Sequence, residues 1–353
     1  MRQFNLISLF ALTALLLFSF GCNSQQEQRE LIQNQLLLDE ANNLIELREL
    51  PRAKKTLEKA VNSLNDKIAK QPGNPGLQLQ RAQALLAYFT AENLLTIEQA
   101  PIHPQSLMRI PSPSDYTGYH EYIARAMADV DNVLSSRQLS YEKKAAAYTL
   151  LASIYRLKED TMARASNAYE KAIDNSVDWL NEIRTTKGKK KPLAINIHRV
   201  EEQVHLLQIA RVETLLAIQD WEEALTQLEE ARGGKDLKFF AIQIEFENRR
   251  ISDFQQKINE DFERNRGASR LSYQSDKKRT RTDELQGLNA YETALWQSEL
   301  RLTDLKNNLI YRIICYYNLD DKRALEEARK ILKHSYPYIE TELTQQLEGI
   351  INH

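Results

Sequence analysis

The sequence predicts an all-α fold, and three observations carry this prediction. Apolar residues recur at helical spacing along most of the chain, and no stretch shows the sustained alternation of a β-strand bounded by hairpin turns. Only 10 glycines and 9 prolines occur among 353 residues. Glutamate, lysine, leucine, alanine and glutamine, most of which are strong helix formers, are abundant. This composition disfavours an all-β fold, which needs many tight turns.

The charge balance argues against a nucleic-acid partner. The chain holds 47 basic and 49 acidic residues, so its formal net charge is −2. Proteins that bind nucleic acids normally carry a basic excess that neutralises phosphates. We therefore expect no nucleic-acid partner.

The chain opens with a leader. Arg2 supplies a positive charge, and residues 6–20 form an almost unbroken apolar run that ends at Gly21 and Cys22. The run is shorter than the roughly 20 residues that a membrane-spanning helix needs, so residues 1–21 have the pattern of an export signal. The end of the apolar run at Gly21 and Cys22 resembles the lipobox of bacterial lipoproteins. That resemblance implies cleavage before Cys22 and a lipid on its sulfur; an uncleaved signal-anchor is the alternative.

The resemblance also implies a location. Asn23 follows the cysteine, and in lipoprotein sorting of the enterobacterial type this favours the outer membrane, facing the periplasm. Several acyl chains on Cys22 would give a stable anchor, which one chain alone does not. Cys315 is the only other cysteine, so acylation of Cys22 excludes a disulfide within the chain. Cys315 lies on an apolar helix, which favours a buried, inert thiol over a nucleophile.

The predicted elements follow in order. A polar tether at 22–33 leads into the first helix. Gaps rich in glycine, proline or polar residues separate most of the later helices. The helical spacing predicts helices at 34–50, 52–70, 76–98, 118–135, 140–157, 160–182, 194–218, 220–232, 237–264, 284–318, 321–334 and 337–351.

A small–large–small motif recurs along these helices. Three residues spaced by four and three positions lie on one helix face, where small side chains let a neighbouring helix approach closely. A further residue nine or ten positions upstream lies on the preceding helix. The motifs are Ala53–Leu57–Ala60, Ala165–Tyr169–Ala172 and Ala224–Leu228–Ala231, with the variant Ala324–Ala328–Ile331, and the upstream residues are Leu44, Tyr155, Leu215 and Cys315.

This recurrence resembles the tetratricopeptide repeat. The segments "WEEALTQLEEA" (221–231) and "RALEEARKIL" (323–332) are similar to its second helix. The resemblance covers four hairpins, at 34–63, 144–175, 205–232 and 305–334. It implies an α-solenoid of helical hairpins over 34–232. The motifs are farther apart than the repeat length of about 34 residues, so degenerate hairpins and insertions must fill the gaps.

The second region, 233–353, is predicted to hold an insertion and a C-terminal hairpin. Apolar stripes over 237–264 and 284–318 indicate a long antiparallel helical pair. The segment that joins them is basic, and we expect it to be either a solvated loop or an accessory contact for an acidic surface. Its candidate residues are Lys277, Lys278, Arg279 and Arg281.

The loop at 99–117 is the main candidate for partner binding. It is long for a compact helical array, and long loops are often functional. It is also unusually apolar for a solvated linker, so its side chains either pack back onto the helices or contact a partner. The candidate contact residues are Leu107, Met108, Ile110, Tyr116 and Tyr119.

Signals for catalysis are absent from the sequence. It contains no Gly-rich phosphate loop, nucleophile elbow or paired-histidine zinc motif. We therefore predict no catalytic residues, metal or cofactor. The expected function is a membrane-anchored scaffold or adaptor for other envelope proteins. The alternatives are a subunit of an enzyme of envelope metabolism and a self-assembling structural lipoprotein.

Overall fold

The structure is a computed structural model that describes residues 25–99, 119–185, 197–232, 237–271 and 277–335. Within these ranges it is all helical and contains no β-strand, which confirms the predicted all-α class. A 3-10 turn at Glu159–Thr161 precedes the sixth helix. The helices are α1 (Gln25–Glu46), α2 (Leu50–Lys70), α3 (Pro75–Gln99), α4 (Tyr119–Leu134), α5 (Tyr141–Tyr155), α6 (Met162–Thr185), α7 (Ile197–Ala217), α8 (Trp221–Arg232), α9 (Leu237–Leu271), α10 (Lys277–Asn318) and α11 (Lys322–Ser335).

The chain divides into two compact units between Gln219 and Asp220. The first unit contains α1 to α7 and the second contains α8 to α11. The sequence placed a boundary later, between 232 and 233. The difference arises because α8 packs against α10, so it belongs to the second unit. The predicted hairpin 205–232 is therefore divided, with α7 in one unit and α8 in the other.

In the first unit, each helix packs against the next one along the chain. In addition α1 contacts α3, and α3 contacts α5. The helix α3 is buried over most of its described length, because it packs against α1, α2, α4 and α5, and it buries polar side chains such as Gln80 and Gln83 together with its apolar ones. Its start is fixed by Asn74, whose side-chain oxygen accepts hydrogen bonds from the backbone N–H groups of Gly76 and Leu77 at 3.0 and 3.4 Å.

Three of the tight turns share one backbone conformation. The turns after α1, α7 and α10 each contain a residue with positive φ, namely Arg48 (60°), Gln219 (63°) and Asp320 (54°). This left-handed conformation ends a helix and turns the chain back, and glycine is its usual occupant. In two of the turns the following residue closes the helix end in the same way. The N–H of Glu49 donates to Leu44, and that of Asp321 donates to Tyr316.

The recurring alanines are buried at three of the four predicted positions. Ala53, Ala165 and Ala224 are fully buried, whereas Ala324 is only half-buried. The turns explain the difference. The residue with positive φ lies five positions before Ala53 and Ala224 but only four before Ala324. The position in α11 equivalent to Ala53 is therefore Leu325, which is buried.

The second unit is built around the long helices α9 and α10. Glu247 faces Arg301, while Phe240, two turns earlier on α9, faces Arg312, three turns later on α10. The two helices are therefore antiparallel, as predicted. Their shared core is completed by α11 through Ala328. This core comprises Leu237, Phe240, Ala241, Ile244, Leu302, Leu305, Leu309, Ile313 and Ala328.

Some helices begin or end outside the predicted bounds. The helix α1 starts at Gln25, so most of the segment predicted as a tether is helical. The helices α9 and α10 extend to Leu271 and back to Lys277, because the polar residues there include few helix breakers. The predicted helix 337–351 lies outside the described residues.

Candidate interaction surfaces

Five of the ten predicted site residues lie outside the part of the chain that the structure describes. This holds for Cys22 and for the loop residues Leu107, Met108, Ile110 and Tyr116. Tyr119 is the first residue of α4.

The basic residues predicted to form a loop have a helical backbone. Lys277, Lys278, Arg279 and Arg281 lie in the first turns of α10 rather than in a loop. Lysine and arginine are good helix formers, and no glycine or proline separates them from the predicted helix start at 284. These residues therefore form the beginning of a helix, not a flexible tip.

Cys315 is a free thiol that is fully buried in α10. Burial disfavours the thiolate and raises the pKa of Cys315 to about 12, although the nearby Arg312 opposes this shift. A thiol with such a pKa is almost entirely protonated at neutral pH. Cys315 is therefore part of the packed core, as the sequence indicated.

Buried charged side chains in the first unit form ion pairs between helices. Arg81 on α3 binds Asp129 on α4 with two hydrogen bonds of 2.8 and 2.6 Å, and it also donates to Asn65 on α2 at 3.0 Å. Arg156 after α5 binds Glu213 on α7 at 3.2 Å. These pairs join different helices of the first unit, so their role is positional.

Tyr88 on α3 contacts two charged side chains of α2. The hydroxyl of Tyr88 donates to Glu58 at 3.1 Å, and the ammonium of Lys54 lies 5.2 Å from the ring centre. Lys54 is itself paired with Glu92 at 2.9 Å. Burial raises the pKa of Tyr88 to about 12, although Lys54 opposes this shift.

A charged residue is buried at the centre of the second unit. Arg312 on α10 is 2% exposed, its guanidinium lies 4.9 Å from the ring centre of Phe240, and it donates to the backbone oxygen of Leu228 at 2.8 Å. Leu228 is in the last turns of α8, where carbonyl groups favour a nearby cation. Arg312 therefore connects α8, α9 and α10.

The side chain one turn before Arg312 is buried without hydrogen bonds. Asn308 is fully buried, and neither its amide nitrogen nor its amide oxygen has a hydrogen-bond partner among the described residues. An unbonded buried amide costs free energy, because it has lost its hydrogen bonds to water. This residue is a weak point in the core of the second unit.

The helix α9 is apolar on two faces. Phe240 and Ile244 face the core, whereas Ile242 and Phe246 lie one turn apart on the outer side and are each 53% exposed. We call Ile242 and Phe246 the outer pair. The guanidinium of Arg250 lies over Phe246, at 5.7 Å from its ring centre. The outer pair thus has an apolar centre bordered by charge, which is the usual arrangement at protein–protein contacts.

The helix α1 also exposes apolar residues. Ile32, Leu36 and Leu47 are 57, 62 and 69% exposed, and we call them the outer row. Ile32 and Leu36 lie one turn apart on α1, and Leu47 follows its last residue. The opposite face of α1 packs against the first unit.

Neither surface was predicted from the sequence. The apolar stripe predicted over 237–264 includes Phe240 and Ile244, which face the core. The outer pair was visible only as a second apolar row within "FFAIQIEF" (239–246). Such a row can equally pack against another helix of the same chain, so only the structure could identify it as exposed.

The described residues contain neither a cluster of metal ligands nor a membrane-spanning helix. Nowhere in the described ranges do three or more histidine, cysteine, aspartate or glutamate side chains converge as metal ligands would. No helix within those ranges has the length and apolar character needed to cross a membrane.

The comparisons with known proteins add no assignment. No protein-family model, curated protein or solved structure matches this chain.

Proposed function

We propose that this chain is an exported lipoprotein, anchored to the membrane through Cys22, that acts as a non-catalytic scaffold for other envelope proteins. The observation that carries the scaffold role is the exposed outer pair, Ile242 and Phe246, on a helix whose opposite face is already packed. Apolar side chains bordered by charge are typical of surfaces that bind other proteins. The proposed location is the periplasmic face of the outer membrane.

Several features support a solenoid of tetratricopeptide-like hairpins. Consecutive helices pair, and the contacts of α3 with α1 and α5 are those expected when one hairpin stacks on the next. Two of the turns with positive φ place that residue at the same distance from a buried alanine, five positions before Ala53 and Ala224. The buried alanines Ala53, Ala165 and Ala224 are consistent with close helix crossings.

The outer pair is too small to hold a partner by itself. Complete burial of a large apolar side chain contributes roughly 1.5–3 kcal/mol, and about half of each residue is already covered. The pair alone would then contribute about 1.5–3 kcal/mol, which is less than a stable complex requires. We therefore propose that the apolar loop residues Leu107, Met108, Ile110 and Tyr116, with Tyr119 at the start of α4, provide a second contact. Lys277, Lys278, Arg279 and Arg281 would assist through charge.

The anchor is tested by the variant Cys22→Ser. We expect the wild-type protein to incorporate labelled fatty acid and to fractionate with membranes. The variant should accumulate as a larger precursor without label, because the modified sulfur is gone. Equal processing and labelling of both proteins would contradict the lipoprotein assignment.

The loop is tested by replacing residues 101–113 with a short Gly/Ser linker. We expect the shortened protein to keep its melting temperature and to lose capture of envelope partners. If it melts early, the loop belongs to the core instead. If it captures partners normally, the partner surface lies elsewhere, with the outer pair as the remaining candidate.

A further inference from the structure

The outer row of α1 lies close in sequence to the proposed anchor. Only two residues, Asn23 and Ser24, separate Gln25, where α1 begins, from Cys22, so the three steps from Cys22 to Gln25 span at most about 11 Å. The seven steps from Gln25 to Ile32 add about 10.5 Å of helix. Ile32 is therefore within about 21 Å of the anchored cysteine, so a lipid on Cys22 would hold the start of the outer row near the bilayer.

The orientation of the outer row is fixed by the packing of α1. Asn34 accepts hydrogen bonds from Ser63 and Lys67 on α2, at 3.3 and 3.0 Å. Gln80 on α3 donates to the backbone oxygen of Leu31 at 3.0 Å. Because these bonds hold one side of α1 against the unit, the helix cannot turn Ile32 and Leu36 inward.

The charge of α1 indicates which lipid surface fits. The sequence of α1 contains five acidic residues and one arginine, so its formal charge is −4. Helices that bind anionic membranes carry lysine and arginine beside their apolar face. Glu40, close to the outer row, is exposed, and it would be repelled by anionic headgroups. A phospholipid surface without net charge avoids this repulsion.

From these observations we infer that α1 lies on the membrane, with Ile32, Leu36 and Leu47 inserted at the level of the headgroups of zwitterionic phospholipids. This inference rests on the proposed anchoring at Cys22. The lipid on Cys22 and the outer row then form two points of attachment. Together they fix how the first unit is oriented on the membrane, which a single flexible anchor does not do.

The test uses the full-length protein, purified from membranes and reconstituted in zwitterionic vesicles that contain a nitroxide-labelled lipid. A fluorophore is placed at Leu36→Cys or, as the control, at Val177→Cys, an exposed position on α6 of the same unit. Buried Cys315 does not compete for the label. We expect loss of most of the fluorescence at position 36 and little loss at position 177.

A second variant separates insertion from mere proximity. With the fluorophore at Leu47→Cys, the substitutions Ile32→Glu and Leu36→Glu should abolish quenching, because they remove two of the three apolar side chains that insert while the lipid anchor remains. Persistent quenching in this variant would overturn the inference, as would absence of quenching at position 36, the result expected if the row instead binds a protein. If mass spectrometry finds no lipid on Cys22, both the inference and the proposed anchor are wrong.

Discussion

At the scale of single residues, the second unit depends on polar groups placed inside an apolar interface. Arg312 connects three helices through one carbonyl group and one aromatic ring. Asn308, one turn away, makes no comparable contribution, since its amide has no hydrogen-bond partner. Removing these two side chains should therefore have opposite effects on stability.

The variant Asn308→Leu should be more stable than the wild type. Leucine has the same branched arrangement of heavy atoms as asparagine, and it removes an unbonded polar group whose burial costs about 1–3 kcal/mol. We expect the free energy of unfolding, measured by urea denaturation, to rise by about 1 kcal/mol. The exposed control Gln297→Leu should change it by less than about 0.5 kcal/mol. A less stable Asn308→Leu variant would show that water or a ligand satisfies the amide.

Cys315 should be unreactive in the folded protein. Its pKa of about 12 means that native protein resists thiol reagents at pH 8, whereas protein unfolded in urea reacts. The contribution of the Cys315 thiol to stability depends on pH. The unfolded thiol ionises above its ordinary pKa of 9.0, but the folded one does not until about 12. Its contribution to stability is therefore present below pH 9 and is lost as the pH rises through this window.

The check combines labelling with denaturation at several pH values. Cys315→Ala should lose less stability between pH 9 and pH 12 than the wild type does, because the raised pKa of the thiol has been removed. Rapid labelling of the native protein at pH 8 would show that Cys315 is accessible and would contradict its burial.

At the scale of elements, the turns decide which alanines contact a neighbouring helix. Ala224→Leu should destabilise the protein by about 1–3 kcal/mol, because the larger side chain overpacks a fully buried site. Ala324→Leu should cost less, since this alanine is half-buried. The comparison is made by urea denaturation of both variants. Equal losses of stability would mean that the one-position offset between Asp320 and Ala324 is wrong.

The two faces of α9 should also respond differently. Ile244→Ala removes a buried side chain and is expected to cost about 2–5 kcal/mol. Ile242→Ala and Phe246→Ala remove half-exposed side chains and should lower the melting temperature much less, while reducing capture of partners. If either outer variant were as unstable as Ile244→Ala, the outer pair would be part of the core.

Much of this element structure followed from the sequence. Helical spacing placed each described helix, because the apolar residues of most helices mark the side that faces the core. The stripes containing Phe240 and Leu309 also identified α9 and α10 as a packed pair. The helix start at Gln25 was missed, because the polar residues before Leu31 carry no apolar period. Ala324 was misplaced because spacing alone does not reveal the conformation of Asp320 in the preceding turn.

At the scale of the whole molecule, the division into two units was harder to predict. The motif linking Leu215 and Ala224 indicated one hairpin over 205–232, yet α8 packs with the second unit. Local spacing is the same whether a helix packs against its predecessor or against a helix farther along the chain. Exposure is likewise a property of the folded chain, which is why Ile242 and Phe246 were not recognised as a surface.

We propose that this chain holds envelope proteins at a membrane. The most direct test of this role is photo-crosslinking in cells, from a reactive residue introduced at Phe246, with exposed Gln255 on the same helix as the control. We predict that a defined envelope protein is captured from position 246 in the membrane fraction, not from position 255, and that Cys22→Ser abolishes the membrane adduct. Absence of any adduct from position 246, or identical adducts from both positions, would contradict the account.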